Sequence, residues 1–179
     1  MRQIADRQDE QVLLDLLNST PVAAGGQLDL LADPEQASDW ARARGGVGSP
    51  AEISDLRHVR DQLQAVVGGT EAPTCLAPAL TGVCLRPQIA EGRMTWQVDV
   101  DDTHHRLAAR ILLAWGQVEE QIPGRLRPCA NDECRLFLLD RSKNNTARWC
   151  SMTACGNRLK GRRHYQRSRQ TEHGHTSAT

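Results

Sequence analysis

Four cysteines stand in two equally spaced pairs, Cys129-x4-Cys134 and Cys150-x4-Cys155, with fifteen residues between the pairs. No other feature constrains the fold as strongly. Two cysteine pairs on a short connector suit a tetrahedral four-thiolate site, each pair forming a knuckle that turns the chain back on itself. Thiolates bind zinc tightly, and the ion can hold together a segment too small for a large core of its own. Four cysteines leave no coordination position for water, so one structural Zn2+ per chain is expected, held by Cys129, Cys134, Cys150 and Cys155. Iron–sulfur ligation by the same sulfurs, or free or disulfide-bonded cysteines, are the competing readings. Cys75 and Cys84 are read as inert thiols.

Charge divides the chain at the same place. The formal net charge is zero, yet residues 1–124 carry 10 basic and 18 acidic side chains, and residues 125–179 carry 12 and 4. An acidic body of net −8 is thus joined to a basic module of net +8. The segment after Cys155 holds Arg158, Lys160, Arg162, Arg163, Arg167 and Arg169, with only Leu159 and Tyr165 as apolar anchors. A helix this basic cannot be buried. It suits phosphates or a major groove, so double-stranded DNA is the expected partner. Arg141, Lys143 and Arg148 add charge from the connector, and a merely solvated basic tail is the alternative. Residues 171–179 are polar and expected to be disordered.

The acidic part reads as mixed helix and strand. Val12, Leu13, Leu16 and Leu17 recur at helical spacing. Asp33-Pro34-Glu35-Gln36 is a helix start, and that helix carries Trp40 and stops at Gly45-Gly46. Gly45 to Pro50 reads as a loop, after which Ser54 is expected to cap a third helix with Leu56, Val59, Leu63, Val66 and Val67 as its apolar stripe. Met94, Trp96, Val98 and Val100 alternate with polar residues, a strand that pairs with Val83–Ile89 as a hairpin about Glu91-Gly92. A fourth helix runs from about Asp102 to Gln121, and Pro123-Gly124 marks the domain boundary. The fold class expected is α+β: helices with a small antiparallel hairpin over residues 1–124, and a four-cysteine module over 125–170 that ends in a basic helix.

No apolar run is long enough to span a membrane, and the polar start MRQIADRQDEQ does not read as an export signal; a cytoplasmic setting is expected. No Gly-rich phosphate loop, Gly-x-Ser-x-Gly elbow or His-Glu-x-x-His motif occurs, so the chain is read as a non-enzyme.

The run Arg148-Trp149-Cys150-Ser151-Met152 followed by Cys155-Gly156-Asn157-Arg158 resembles the CGNR zinc finger, which is named for that tetrapeptide. The earlier Cys-x4-Cys, Phe137 and Asp140-Arg141-Ser142 fit the same pattern, and the resemblance covers Arg125 to about Arg169. It implies a bacterial DNA-binding finger with the four cysteines as zinc ligands and with Asn157 and Arg158 as the signature pair. The rest of the chain is similar to the domain called ABATE. The carrying residues are Leu14-Asp15-Leu16-Leu17-Asn18, Leu30-Leu31, Asp33-Pro34-Glu35 and Trp40, with Arg57 and Arg60 on a basic helix. Ser19 separates Asn18 from Thr20, where the ABATE pattern has Asn and Thr adjacent. The resemblance implies a mixed α/β ligand-sensing domain of stress-related transcription regulators.

The expected function is therefore a zinc-dependent, DNA-binding transcription regulator with an N-terminal domain that senses a small effector, acting as a monomer or homodimer. The alternative is a zinc-stabilised module that docks on RNA or on an acidic protein of the transcription machinery. Asn18, Arg57 and Arg60 are the candidate effector contacts. A helix cap for Asn18 and ion-paired or solvated arginines are the competing readings.

Overall fold

The computed structural model describes residues 7–23, 26–90 and 92–156. The expected basic helix, with Asn157, Arg158, Lys160, Arg162, Arg163, Arg167 and Arg169, and the tail 171–179 lie outside the described residues.

Helix α1 (Arg7–Leu17) buries Val12, Leu13, Leu16 and Leu17 on one face. Burying four side chains of this size is worth about 6–12 kcal/mol relative to leaving them in water. A short ribbon, β1 (Val22–Ala23) with β2 (Gly26–Gln27), leads to α2 (Pro34–Arg42). That helix starts as the sequence predicts: Asp33 accepts a hydrogen bond from Gln36 N at 2.9 Å, and Pro34 takes the first turn. Helix α3 (Pro50–Val67) starts earlier than expected. Ser49, not Ser54, is its cap, with Oγ accepting from Glu52 N at 3.1 Å. Pro50 occupies the first helical position, where its missing N–H has no intrahelical partner to lose. Ile53, Leu56, Val59 and Leu63 form the buried stripe, and Gly69, at φ 76°, follows the cap residue Gly68. That left-handed conformation favours glycine.

A 3-10 segment, Pro73–Leu80, inserts Leu76 into the core. Strands β3 (Cys84–Ala90) and β4 (Arg93–Asp99) form the antiparallel hairpin. Pro87 stands opposite Trp96 in this two-stranded sheet, where β3 is an edge and a missing donor is tolerated. The alternating apolar set does not make a buried face throughout. Val98 is buried and Trp96 half-buried, whereas Met94 is 64% exposed and its cross-strand partner Ile89 72%.

Helix α4 (Arg106–Gln121) follows a 3-10 turn, Thr103–His105, that Asp102 caps through His104 N. It buries Leu107, Ile111, Leu112 and Val118 against α1 and α3, with Trp40 and Trp115 half-buried at the rim of the core. The chain then enters β5 (Leu126–Pro128) and β6 (Phe137–Leu139), an antiparallel pair. Strand β6 lies on α1 and β5 on α3, and Leu126 and Phe137 belong to the same buried cluster as the helices. The architecture is α+β: a helical core with small antiparallel two-stranded sheets and a C-terminal four-cysteine cluster. Among the described residues no helix is long and apolar enough to cross a membrane.

Candidate metal centre and its surroundings

Strands β5 and β6 carry the first knuckle at their facing ends. Cys129 N donates to Leu136 O at 2.8 Å, continuing the ladder, and Cys134 N donates to Asn131 O at 2.7 Å, closing the turn. Leu136 N then points at Cys134 Sγ, 3.5 Å away. The second knuckle ends in a tight π turn, Met152–Gly156, in which Cys155 N and Gly156 N both donate to Ser151 O at 3.0 Å. Two backbone N–H groups staple the knuckles together: Ala130 N donates to Arg148 O at 2.8 Å, and Cys150 N to Cys129 Sγ at 3.5 Å. Gly156 is closely approached, since a Cβ there would stand 2.9 Å from Met152 Sδ and 3.2 Å from Trp149 Cδ1.

The result is that four sulfurs lie within 4.8 Å of one another, with Cys134–Cys150 at 3.7 Å and Cys150–Cys155 at 3.6 Å. A tetrahedron with zinc–sulfur bonds of about 2.3 Å requires sulfurs about 3.8 Å apart. The cluster therefore fits a structural metal site of the zinc-finger kind. Burial and the neighbouring sulfurs push the Cys150 thiol far up, and burial likewise raises Cys134. Cys155 goes the other way. Burial opposes its thiolate, but the Asn131 amide, 3.6 Å from its sulfur, and the adjacent thiols outweigh that. A divalent cation overrides such repulsion, because a thiol that coordinates it is deprotonated outright.

The connector between the knuckles is built around Asp140, which is buried. Its carboxylate accepts from Ser142 N at 2.8 Å, Ala147 N at 2.9 Å and Arg127 Nη2 at 2.6 Å. The Ser142 bonds hold its carboxyl below the ordinary carboxylate range, together with the Arg127 charge. Arg125 donates to the carbonyls of Asp140 and Ser142, and Arg127 also reaches Ala147 O at 2.6 Å. This clamp leaves Lys143 and Arg148 exposed to solvent, with the Arg148 guanidinium 5.6 Å from the Trp149 ring centre. Arg141 leans the other way and pairs with Glu10 on α1. The sequence reading missed the parts played by Asp140, Arg125, Arg127 and Asn131. The run of turn formers after it, Ser142, Asn144 and Asn145, is a signal that could have marked Asp140 as the start of a turn.

The three effector candidates do not converge. Asn18 sends its side chain across to the finger, accepting from Phe137 N at 2.7 Å and donating to Phe137 O at 3.2 Å. Arg57 donates to the carbonyls of Leu31 and Ala32. Arg60, only 4% exposed, is bound by Asp29 at 2.6 and 3.0 Å, by Asp61 at 2.9 Å and by Ser19 Oγ at 3.3 Å. Burial alone would raise Asp29, but hydrogen bonds from Arg60 and Leu31 N bring its carboxyl below the usual value. A groove of about 530 Å³ between α2 and α3 is lined by Ser38, Pro50, Ile53 and Arg57 among others. A second cavity, about 450 Å³ under the hairpin, is lined by Trp96, Val98, Arg106 and Arg110. Of the three candidates, Arg57 alone lines either of these. His104 and His105 are engaged by the start of α3, with Ser49 Oγ at 2.8 Å and Asp55 at 2.6 Å respectively.

Two family models match the chain. The family model of ABATE, described as a putative stress-induced transcription regulator, matches residues 10–134, and that of the CGNR zinc finger matches residues 125–168. The two matches overlap across β5 and the first knuckle. A search of curated proteins finds no match.

Proposed function

Given that the chain belongs to the ABATE family and carries a CGNR zinc finger, we propose that it is a zinc-dependent transcription regulator that binds double-stranded DNA. The observation that supports this most is the cluster of four sulfurs, two of them accepting backbone N–H groups, in a segment that also exposes Lys143 and Arg148. In this reading Cys129, Cys134, Cys150 and Cys155 hold one zinc ion, which fixes the connector and the start of the basic segment. Lys143, Arg148 and the residues from Asn157 to Arg169 then face the duplex, and the affinity comes chiefly from released counterions. Residues 1–124 serve as the sensing body, with the groove at Arg57 as the place for a small effector. Effector and DNA are coupled by linkage: a ligand that favours one arrangement of the finger shifts its affinity for DNA. One finger covers few base pairs, so two copies on adjacent half-sites suit a specific operator. The ABATE family is described in regulatory terms and the other match as a zinc finger, and we read the chain as a non-enzyme acting where bacterial DNA lies, in the cytoplasm.

The test uses the full chain, loaded with zinc, against its Cys150→Ser variant. Metal analysis should return one zinc per chain for the parent. Duplex binding should weaken linearly on a log–log salt plot, and Cys150→Ser should lose both metal and binding. Zinc without duplex binding at low salt would overturn the DNA reading in favour of docking on RNA or an acidic protein. Selection from random duplexes adds a second check, since a regulator enriches a reproducible motif and a docking module enriches none.

A further inference from the structure

An open pocket of about 410 Å³ along the seam between α1 and β6 is lined by Arg7, Glu10, Gln11, Leu14, Leu139 and Arg141. Two guanidinium groups against one carboxylate leave it net positive. Arg141 enters from the connector and pairs with Glu10. The exposures of the two partners are unequal: the Glu10 side chain is only 12% exposed, that of Arg141 52%. The neighbouring acids of α1 are neutralised within the helical body, Asp9 by Arg110 and Asp15 by Arg44. Glu10 differs in taking its cation from the finger. Arg141 also starts from a fixed point, because the preceding residue is the buried Asp140 with its three donors.

We infer that Arg141, at the mouth of this pocket, is a contact for a backbone phosphate of bound DNA, and that in the free protein the Glu10 carboxylate on the pocket wall occupies its guanidinium. The inference rests on the DNA-binding reading above. A carboxylate and a phosphodiester both offer acceptor oxygens to a guanidinium, so Glu10 is an internal stand-in for the phosphate. The exposed side of Arg141 lets a phosphate approach, and Arg7, exposed on the rim, supplies a second cation. The carboxylate is largely buried and stays in place, so a phosphate must take Arg141 away from it. Duplex affinity then reflects a competition between two anions for one cation. The seam lies where the body meets the finger, so a change in how α1 packs alters that competition directly.

The experiment measures duplex affinity of the zinc-loaded full chain across a salt series for five forms: parent, Glu10→Gln, Arg141→Gln, the double variant, and Glu71→Gln. Glu71 is exposed and does not line the pocket, and its change removes the same charge. Zinc content verifies that each form is folded. Glu10→Gln should bind several-fold tighter, with a salt slope steeper by about one counterion. The gain should vanish when Arg141 is also Gln, and Glu71→Gln should behave as the parent. Equal or weaker binding by Glu10→Gln overturns the inference. So does an equal gain with Arg141 absent, which would be general charge repulsion rather than a masked site. If the forms bind alike, this inference alone falls; if none binds duplex at low salt, the DNA-binding reading falls with it.

Discussion

Asn18 offers the sharpest test of how body and finger are joined. Its side chain serves Phe137 as a neighbouring strand would, taking the N–H at 2.7 Å and giving to the carbonyl at 3.2 Å. Asn18→Ala removes both bonds. Each is worth about 1 kcal/mol net, so the loss is about 2 kcal/mol; Asn18 is half-buried, and water reaching the freed groups limits the further penalty. For a chain of this length that corresponds to a fall in Tm of about 4–8 °C. Asn18→Asp keeps the acceptor for Phe137 N but sets a second oxygen against Phe137 O, so it should cost at least as much at neutral pH. Phe137 also adjoins Leu136, whose N–H reaches Cys134 Sγ and whose carbonyl takes Cys129 N–H. Urea unfolding should therefore show the stability loss, and transfer of zinc to a chromogenic chelator should be faster. A loss below about 0.5 kcal/mol, in the range of an ordinary surface change, with unaltered zinc transfer would refute the bridge as a structural joint.

Arg60→Gln should flatten the acid limb of stability. The lowered Asp29 carboxyl contributes stability above its unfolded pKa and loses it as pH falls through the folded value. The difference in urea midpoint between neutral pH and pH ~3 should shrink when Arg60 goes, and an unchanged difference would show that the pair does not set this limb. Gly46→Ala places a Cβ 2.7 Å from both carboxylate oxygens of the buried Glu52 and should cost about 1–3 kcal/mol, read as a lower Tm. Leu16→Ala should cost about 2–5 kcal/mol in urea unfolding, because Leu16 is fully buried between the helices. Chelation should alter the fluorescence around Trp149 while the far-ultraviolet signal of α1 to α4 persists; loss of the helical signal would show that the metal supports the core as well.

What was legible in the sequence was local. The cysteine spacing identified the cluster because two knuckles of one length need little else to meet. Asp33 and Pro34 marked α2 because cap and first turn lie within four residues. The start of α3 was misplaced for an equally local reason. Gly45 to Pro50 is a run of turn formers, and it concealed Ser49-Pro50-Ala51-Glu52, itself a cap sequence. The fate of Asn18, Arg57 and Arg60 could not be read this way. Their partners Phe137, Leu31 and Asp29 stand 119, 26 and 31 residues away, and no periodicity encodes such distances. The hairpin illustrates the converse. Its alternation was correct as a strand signal, yet Ile89 and Met94 lie largely in solvent, because alternation reports a pleated strand and not what covers it.

The shared placement of Leu126 and Phe137 has an evolutionary consequence. Segments that travel between genes as cassettes bring their own floor with them. Here the floor of β5 and β6 is α1 and α3, encoded in the chain's first 67 residues. A recombination event that moved residues 125–168 alone would deliver the four sulfurs to a new host and leave two large apolar side chains facing water. Inheritance of the two parts as one unit is the arrangement that selection against aggregation favours.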